Sequence, residues 1–186
     1  MITRPQDSAL LKRAAWGGIL TAVTVASTLA AACGTPFAAL AALAALFLPR
    51  RDAFVLIGVN WLANQAIGFG WLHYPLNWDC YRGGINLCIA AVAATGAAML
   101  ARQALRKGGT ALAVIGSFAA AFVTYEALLF AISPWRSSGD FALPVVRYIL
   151  YVNAGAFAGL LLLQTAAMAV GLAVPRAVRW KDSAAA

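Results

Sequence analysis

The middle of this chain runs as three apolar stretches, 53–71, 84–101 and 110–132, in which Glu126 is the sole acid. A hydrocarbon core about 30 Å thick is crossed by about 20 helical residues, so each stretch has the length and polarity of a membrane span. Composition agrees: 63% of residues are hydrophobic and 11% are charged, whereas a soluble domain is about half apolar. The expectation is an all-α integral membrane protein forming a single domain over residues 1–186, with six spans at 14–33, 36–48, 53–71, 84–101, 110–132 and 144–174. The first of these is too long for the apolar core of a leader peptide and is read as helix one. The second is short and lies between Pro36 and Pro49, which suits a tilted or partly re-entrant helix shielded by its neighbours. The sixth is long enough to begin in a loop or to project beyond the bilayer.

Lys and Arg are retained on the cytoplasmic side of a membrane protein and thereby orient it. One side of this arrangement holds Arg4, Lys12, Arg13, Arg50, Arg51, Arg102, Arg106, Lys107, Arg176, Arg179 and Lys181; the other holds Arg82, Arg136 and Arg147. Both termini are therefore expected in the cytoplasm. The net charge of +8 becomes a topology signal with some attraction to anionic lipid. Nucleic acid is not an expected partner, because the basic residues are dispersed over short segments instead of forming a stripe interleaved with aromatics.

Chemical variety is confined to the outward side. The connection over 72–83 carries His73, Tyr74, Asn77, Trp78, Asp79, Cys80, Tyr81 and Arg82, and that over 133–143 carries Trp135, Arg136, Ser137, Ser138 and Asp140. An interfacial belt accounts for Trp and Tyr there, but not for the Asp, Cys and Arg among them. Within the spans, Asn60 and Asn64 share a helix face with Gln65 beside them. Asn86 lies one turn into the fourth helix, and Arg147, Tyr148 and Tyr151 lie close together near the outer end of the sixth. Singly, such residues join helices for about 0.6 kcal/mol each; clustered in the outer halves of helices three to six, they suggest a pocket. Glu126 is expected to face the interior, paired with Arg147 or bonded to Tyr151.

Three cysteines occur, Cys33, Cys80 and Cys88, with no Cys-x-x-Cys motif. Cys88 reads as a small packed side chain. For Cys80 three roles stand open on the residues alone: a disulfide with Cys33 in an oxidising compartment, a free thiol without function, or a ligand for a soft or borderline metal. One Cys and one His do not make a closed zinc site. A metal already held on its other sides by a macrocycle needs only one protein ligand.

Asn60-Trp61-Leu62-Ala63-Asn64-Gln65, Gly68-Phe69-Gly70-Trp71, Tyr74-Pro75-Leu76 and Trp78-Asp79-Cys80-Tyr81-Arg82 together resemble the BtuM family of cobalamin transporters. Chain length and the six expected spans agree with that family, which itself resembles the substrate-binding S-components of energy-coupling factor (ECF) transporters. The resemblance implies a six-helix bundle in the bacterial inner membrane that holds vitamin B12 at its periplasmic face. It places Cys80 as the axial ligand of the corrin cobalt and suggests loss of the upper ligand, such as cyanide, on ligation. By position, it sets Tyr74, Trp78, Tyr81, Tyr148 and Tyr151 against the flat corrin. Asn60, Asn64, Asn77, Arg82 and Arg147 are set toward its peripheral amides, with Asp79 in the same loop. Partners implied are cobalamin, the lipid bilayer, and the ECF membrane and ATPase subunits.

Gly18, Ala22, Ala26 and Ala30 form a small-residue stripe that would suit helix docking, although internal packing explains it equally. The sequence has no Walker A pattern, so no ATP site is expected in this chain. Alternatives are a membrane thiol enzyme using Cys80, for which no base is evident beyond the distant His73, an S-component-like carrier of another vitamin, and a purely structural subunit of a larger complex.

Overall fold

The computed structural model describes residues 5–30, 35–132 and 141–173. All regular structure among them is helical: α1 Pro5–Ala30, α2 Phe37–Phe47, α3 Arg50–Gly70, α4 Trp78–Leu105, α5 Thr110–Ile132 and α6 Leu143–Ala169. A 3-10 turn, Arg106–Gly108, joins α4 to α5. Four helices, α3, α4, α5 and α6, are long and apolar enough to cross a membrane. The apolar part of α1, Ala14–Ser27, is shorter, as is α2.

The bundle is organised around α2. At 11 residues it is about 16 Å long, half of what a bilayer crossing needs. Every residue from Phe37 to Leu46 is buried, so the helix shows no outward face at all. Its sequence, Phe-Ala-Ala-Leu-Ala-Ala-Leu-Ala-Ala-Leu-Phe, explains how: Ala on all sides lets neighbouring backbones approach closely, which is how helices associate where lipid removes the hydrophobic drive. The facing surfaces are equally small, with Ala90, Ala91, Ala94 and Ala98 on α4 and Ala121 on α5 all buried. α4 and α5 pack against each other most extensively, and α2 is wedged against α4, α5, α6 and α3.

A helix buried end to end must satisfy its terminal N–H and C=O groups without water. Neither end of α2 has a side-chain cap of its own. Pro36, at φ −80° and ψ 55°, forms an inverse γ-turn that returns the Phe37 N–H to the Thr35 carbonyl at 2.8 Å. The Ala39 N–H donates to Oδ1 of Asn153, which reaches in from α6 at 3.2 Å and is itself fully buried. At the other end Nη1 of Arg102 on α4 donates to the Ala45 carbonyl at 2.8 Å. That cation also faces the negative end of the α2 dipole. Two helices distant in sequence thus cap a third.

Side-chain bonds also fasten α1. Trp16 Nε1 donates to Gln164 Oε1 of α6 at 3.0 Å, both residues being buried, and Asn60 of α3 donates to Thr21 Oγ1 at 3.1 Å. Gly18, Ala22 and Ala26, the described part of the small-residue stripe apart from the Ala30 backbone, are exposed.

Asn153→Leu removes the acceptor of the Ala39 N–H inside the bundle. A buried unsatisfied donor costs about 1–3 kcal/mol, so the variant should unfold at lower temperature or denaturant than wild type. Asn153→Asp keeps an acceptor oxygen at that position and should recover part of the loss.

Candidate functional site

The residues singled out around Cys80 lie where α3 ends and α4 begins. Trp71 and Leu72 both donate their N–H to the Ile67 carbonyl, and Tyr74 N–H donates to Gly68 O at 3.0 Å, which closes α3. His73 takes the left-handed turn, with φ 55°, a conformation that Gly more commonly supplies. Its position reverses the chain and lays the Tyr74 ring over Gly68, where an added Cβ would stand 2.8 Å from two ring carbons. Phe69 then packs edge-on to Tyr74, at 6.3 Å between centroids, and stacks with Tyr81 at 5.2 Å. An aromatic trio thus joins the last turn of α3 to the first turn of α4.

The connection is shorter than the sequence suggested. Residues 78–83, expected in a loop, are helical, because α4 starts at Trp78. The cause is local: Asn77, expected to reach toward a ligand, is the N-cap, and its Oδ1 accepts the Cys80 N–H at 2.9 Å. Cys80 therefore stands in the first turn of a long rigid helix, half-buried, as a free thiol. Asp79 in the same turn complements the positive helix end. Trp71, at 76% exposure, and Trp78, at 68%, belong to the same stretch of chain, and Tyr74, Leu76 and Tyr81 are also exposed. Arg82 is exposed two residues along, about half a turn around the helix. The result is an exposed, aromatic-rich stretch that includes one half-buried thiol.

Behind this surface α3 and α4 are closely joined. Trp61 Nε1 donates to the Gly84 carbonyl at 2.7 Å, and Gly84 leaves the room that the Gln65 carboxamide occupies. Asn86 Nδ2 donates to the Ile132 carbonyl at 3.1 Å, tying α4 to the end of α5.

Asn60 and Asn64 do share a face of α3, but that face meets α1 and the start of α2 instead of an open pocket. Asn60 is 2% exposed and donates to Thr21 and to the Leu56 carbonyl. Asn64 donates to Thr35 Oγ1 at 2.9 Å and accepts from Gln65 Nε2 at 3.3 Å. Asn60 thus joins α3 to α1 and Asn64 joins it to the residue before α2, while Asn60 Oδ1 is buried without a hydrogen-bond partner. Arg147, Tyr148 and Tyr151 are exposed at the start of α6. α6 packs mainly on α2 and α5. Glu126 does not pair as expected: its Oε1 is buried without a hydrogen-bond partner, and no bond to Arg147 or Tyr151 forms. A cavity of about 120 Å³ lies between α1, Pro36 and α6, lined by Val23, Thr24, Ser27, Ala156, Gly159 and Leu160. None of the expected site residues lines it.

Cys33, Trp135, Arg136, Ser137, Ser138 and Asp140 lie outside the described residues. The sequence reading missed Phe69 as the ring that carries Tyr81; its place within Gly68-Phe69-Gly70 was the available signal. It also missed Asn153, an isolated polar residue in an apolar run, which reads as interhelical only once α2 is seen to lack its own cap.

Asn77→Ala should cost about 1 kcal/mol, as for other N-cap removals. The loss falls on the turn that holds Cys80. The expected signature is faster labelling of Cys80 by a thiol reagent together with a small drop in melting temperature; unchanged labelling would mean that the turn is fixed by other contacts.

No protein-family model, curated protein or solved structure matches this chain.

Proposed function

We propose that the chain is a cobalamin-binding and uptake protein of the bacterial inner membrane, with six membrane-embedded helices, both termini cytoplasmic and the Cys80 surface facing the periplasm. The observation that carries the reading is the free, half-buried Cys80 held at the first turn of α4, in a short stretch of chain that also exposes Tyr74, Trp78 and Tyr81. Sulfur is a soft ligand suited to a late first-row metal. Among the described residues no group of three or more His, Cys, Asp or Glu could hold a bare ion. A cobalt carried in a corrin presents the opposite need, for it is already ligated around its equator and lacks only an axial partner. The exposed rings of Tyr74, Trp78 and Tyr81 suit the broad, largely apolar corrin face.

The chemistry follows from ligand exchange. The Cys80 sulfur gives a lone pair to cobalt, the ligand that held that axial position departs with its own pair, and the thiol proton passes to solvent or to that ligand. With cyanocobalamin the departing group is cyanide, and cobalt keeps its oxidation state. Asn77 positions the sulfur through the backbone of its turn, and Phe69 holds Tyr81 in place beside it. Arg82 and Asp79 lie near enough in sequence to meet corrin amides. Orientation follows from the Lys and Arg distribution. Energy for uptake comes from ECF-type membrane and ATPase partners or from trapping of the vitamin inside.

Purified protein should change the visible spectrum of added cobalamin, and Cys80→Ala should abolish the change and weaken binding at least tenfold. His73→Gly, which suits the left-handed backbone at that position, should leave the spectrum of the complex unchanged. Loss of the shift in His73→Gly with retention in Cys80→Ala would reassign the ligand. The absence of any binding by wild type would remove the cobalamin reading and favour a thiol enzyme.

A further inference from the structure

We infer that Glu126 is a proton-binding site in the outer half of the bundle, whose proton is exchanged as the outward surface fills and empties. The inference rests on the reading of this chain as an uptake protein. Glu126 sits at residue 126 of a helix that ends at Ile132, about 9 Å inside that end at 1.5 Å per residue. The side chain is half-buried, and its Oε1 is buried and accepts no hydrogen bond. An acid in such a place within a span either meets a partner charge, binds a cation, or exchanges a proton.

No partner charge meets it among the described residues. The elements packed on α5 are α4, α2, α6 and the 3-10 turn after α4. α2 carries no titratable group, and Arg106 and Lys107 in the 3-10 turn are at the opposite end of α5. On α4, which Asn86 aligns with Ile132, Cys88 is the titratable group nearest the level of Glu126; Asp79, Cys80, Tyr81 and Arg82 lie further out. Arg147, Tyr148 and Tyr151 on α6 are exposed, and no hydrogen bond joins any of them to Glu126. On α5 itself Tyr125 is buried and turned toward the Phe37 ring, at 6.3 Å between centroids. A metal ion needs several oxygen ligands at once, and no group of acids, His or Cys gathers here. A proton needs one oxygen, which is what the site offers.

The path from this carboxyl to the outward surface is short. Tyr125, its chain neighbour, contacts Phe37, the first residue of α2. Asn153 of α6 holds that same first turn of α2, and α6 carries Tyr148 and Tyr151 at its outer end. A change of charge at Glu126 therefore falls next in the chain to the residue through which α5 meets the first turn of α2, the turn that α6 also holds. The exchange is one proton between the carboxylate and the outer solution, with no other bond made or broken.

Two readouts on the full chain in lipid nanodiscs test this. Infrared difference spectra of the wild type across its stable pH range should show a protonated-carboxyl band that titrates and is missing from Glu126→Gln. A wild-type spectrum without such a titration overturns the proton site and requires no variant to fold. The second readout is cobalamin affinity against pH. Cys80 also gives up a proton on ligating cobalt, so the quantity read is the difference between wild type and Glu126→Gln, which share that step. One linked proton makes the two profiles diverge by up to about tenfold per pH unit; identical profiles overturn the linkage. If wild type binds no cobalamin while the band titrates, the uptake reading fails and the linkage with it, whereas the proton site stands.

Discussion

A helix buried on all sides in a membrane protein has to find partners for its terminal backbone groups, and the rest of this bundle is arranged around that requirement for α2. Asn153 supplies an acceptor at one end and Arg102 a cationic donor at the other, so α4 and α6 are both tied to the same short element. Their Ala-rich faces then close on α2 at the distance that backbone-to-backbone packing needs. α5 follows through its contact with α4, and α3 through Trp61 and Gly84. Because α2 is too short to span, the longer helices extend past it, and the surface around Cys80 is built on those extensions.

That surface is held by local devices more than by tertiary burial. The left-handed His73, the Tyr74 ring over Gly68 and the Asn77 cap on Cys80 all act within about a dozen residues. Such an arrangement keeps the thiol accessible while fixing its backbone. A ligand that brings its own metal and a large flat face makes use of both properties. Deeper in the bundle, Asn60 and Gln164 bond to Thr21 and Trp16 of α1 and Asn64 to Thr35, and these bonds help to assemble the scaffold.

The all-helical architecture and the approximate positions of α3 to α6 were legible because apolar length carries that signal almost unaided. The shielding of the second helix was legible from Pro36 and Pro49. The extent of α4 was not, because Trp78 to Gly83 look like loop chemistry and only the Asn77 cap makes them a first turn. Asn60 and Asn64 were read onto the right helix face, but hydropathy does not say whether a polar face meets a pocket or another helix, and here Thr21 and Thr35 meet it. Glu126 is half-buried with one carboxyl oxygen inside, and its pairing could not be inferred, since Arg147 and Tyr151 are placed by the angle of α6 and not by their sequence spacing. Roles for Asn153 and Arg102 needed the tertiary arrangement, because each acts on a helix far away in the chain.

The most direct measurement is X-ray absorption at the cobalt edge of the purified protein with bound cobalamin. The account predicts a sulfur neighbour at bonding distance from cobalt in the wild type, replaced by an oxygen or nitrogen neighbour in Cys80→Ala. A wild-type complex whose cobalt has only nitrogen, oxygen or carbon neighbours would contradict the assignment of Cys80 as the ligand.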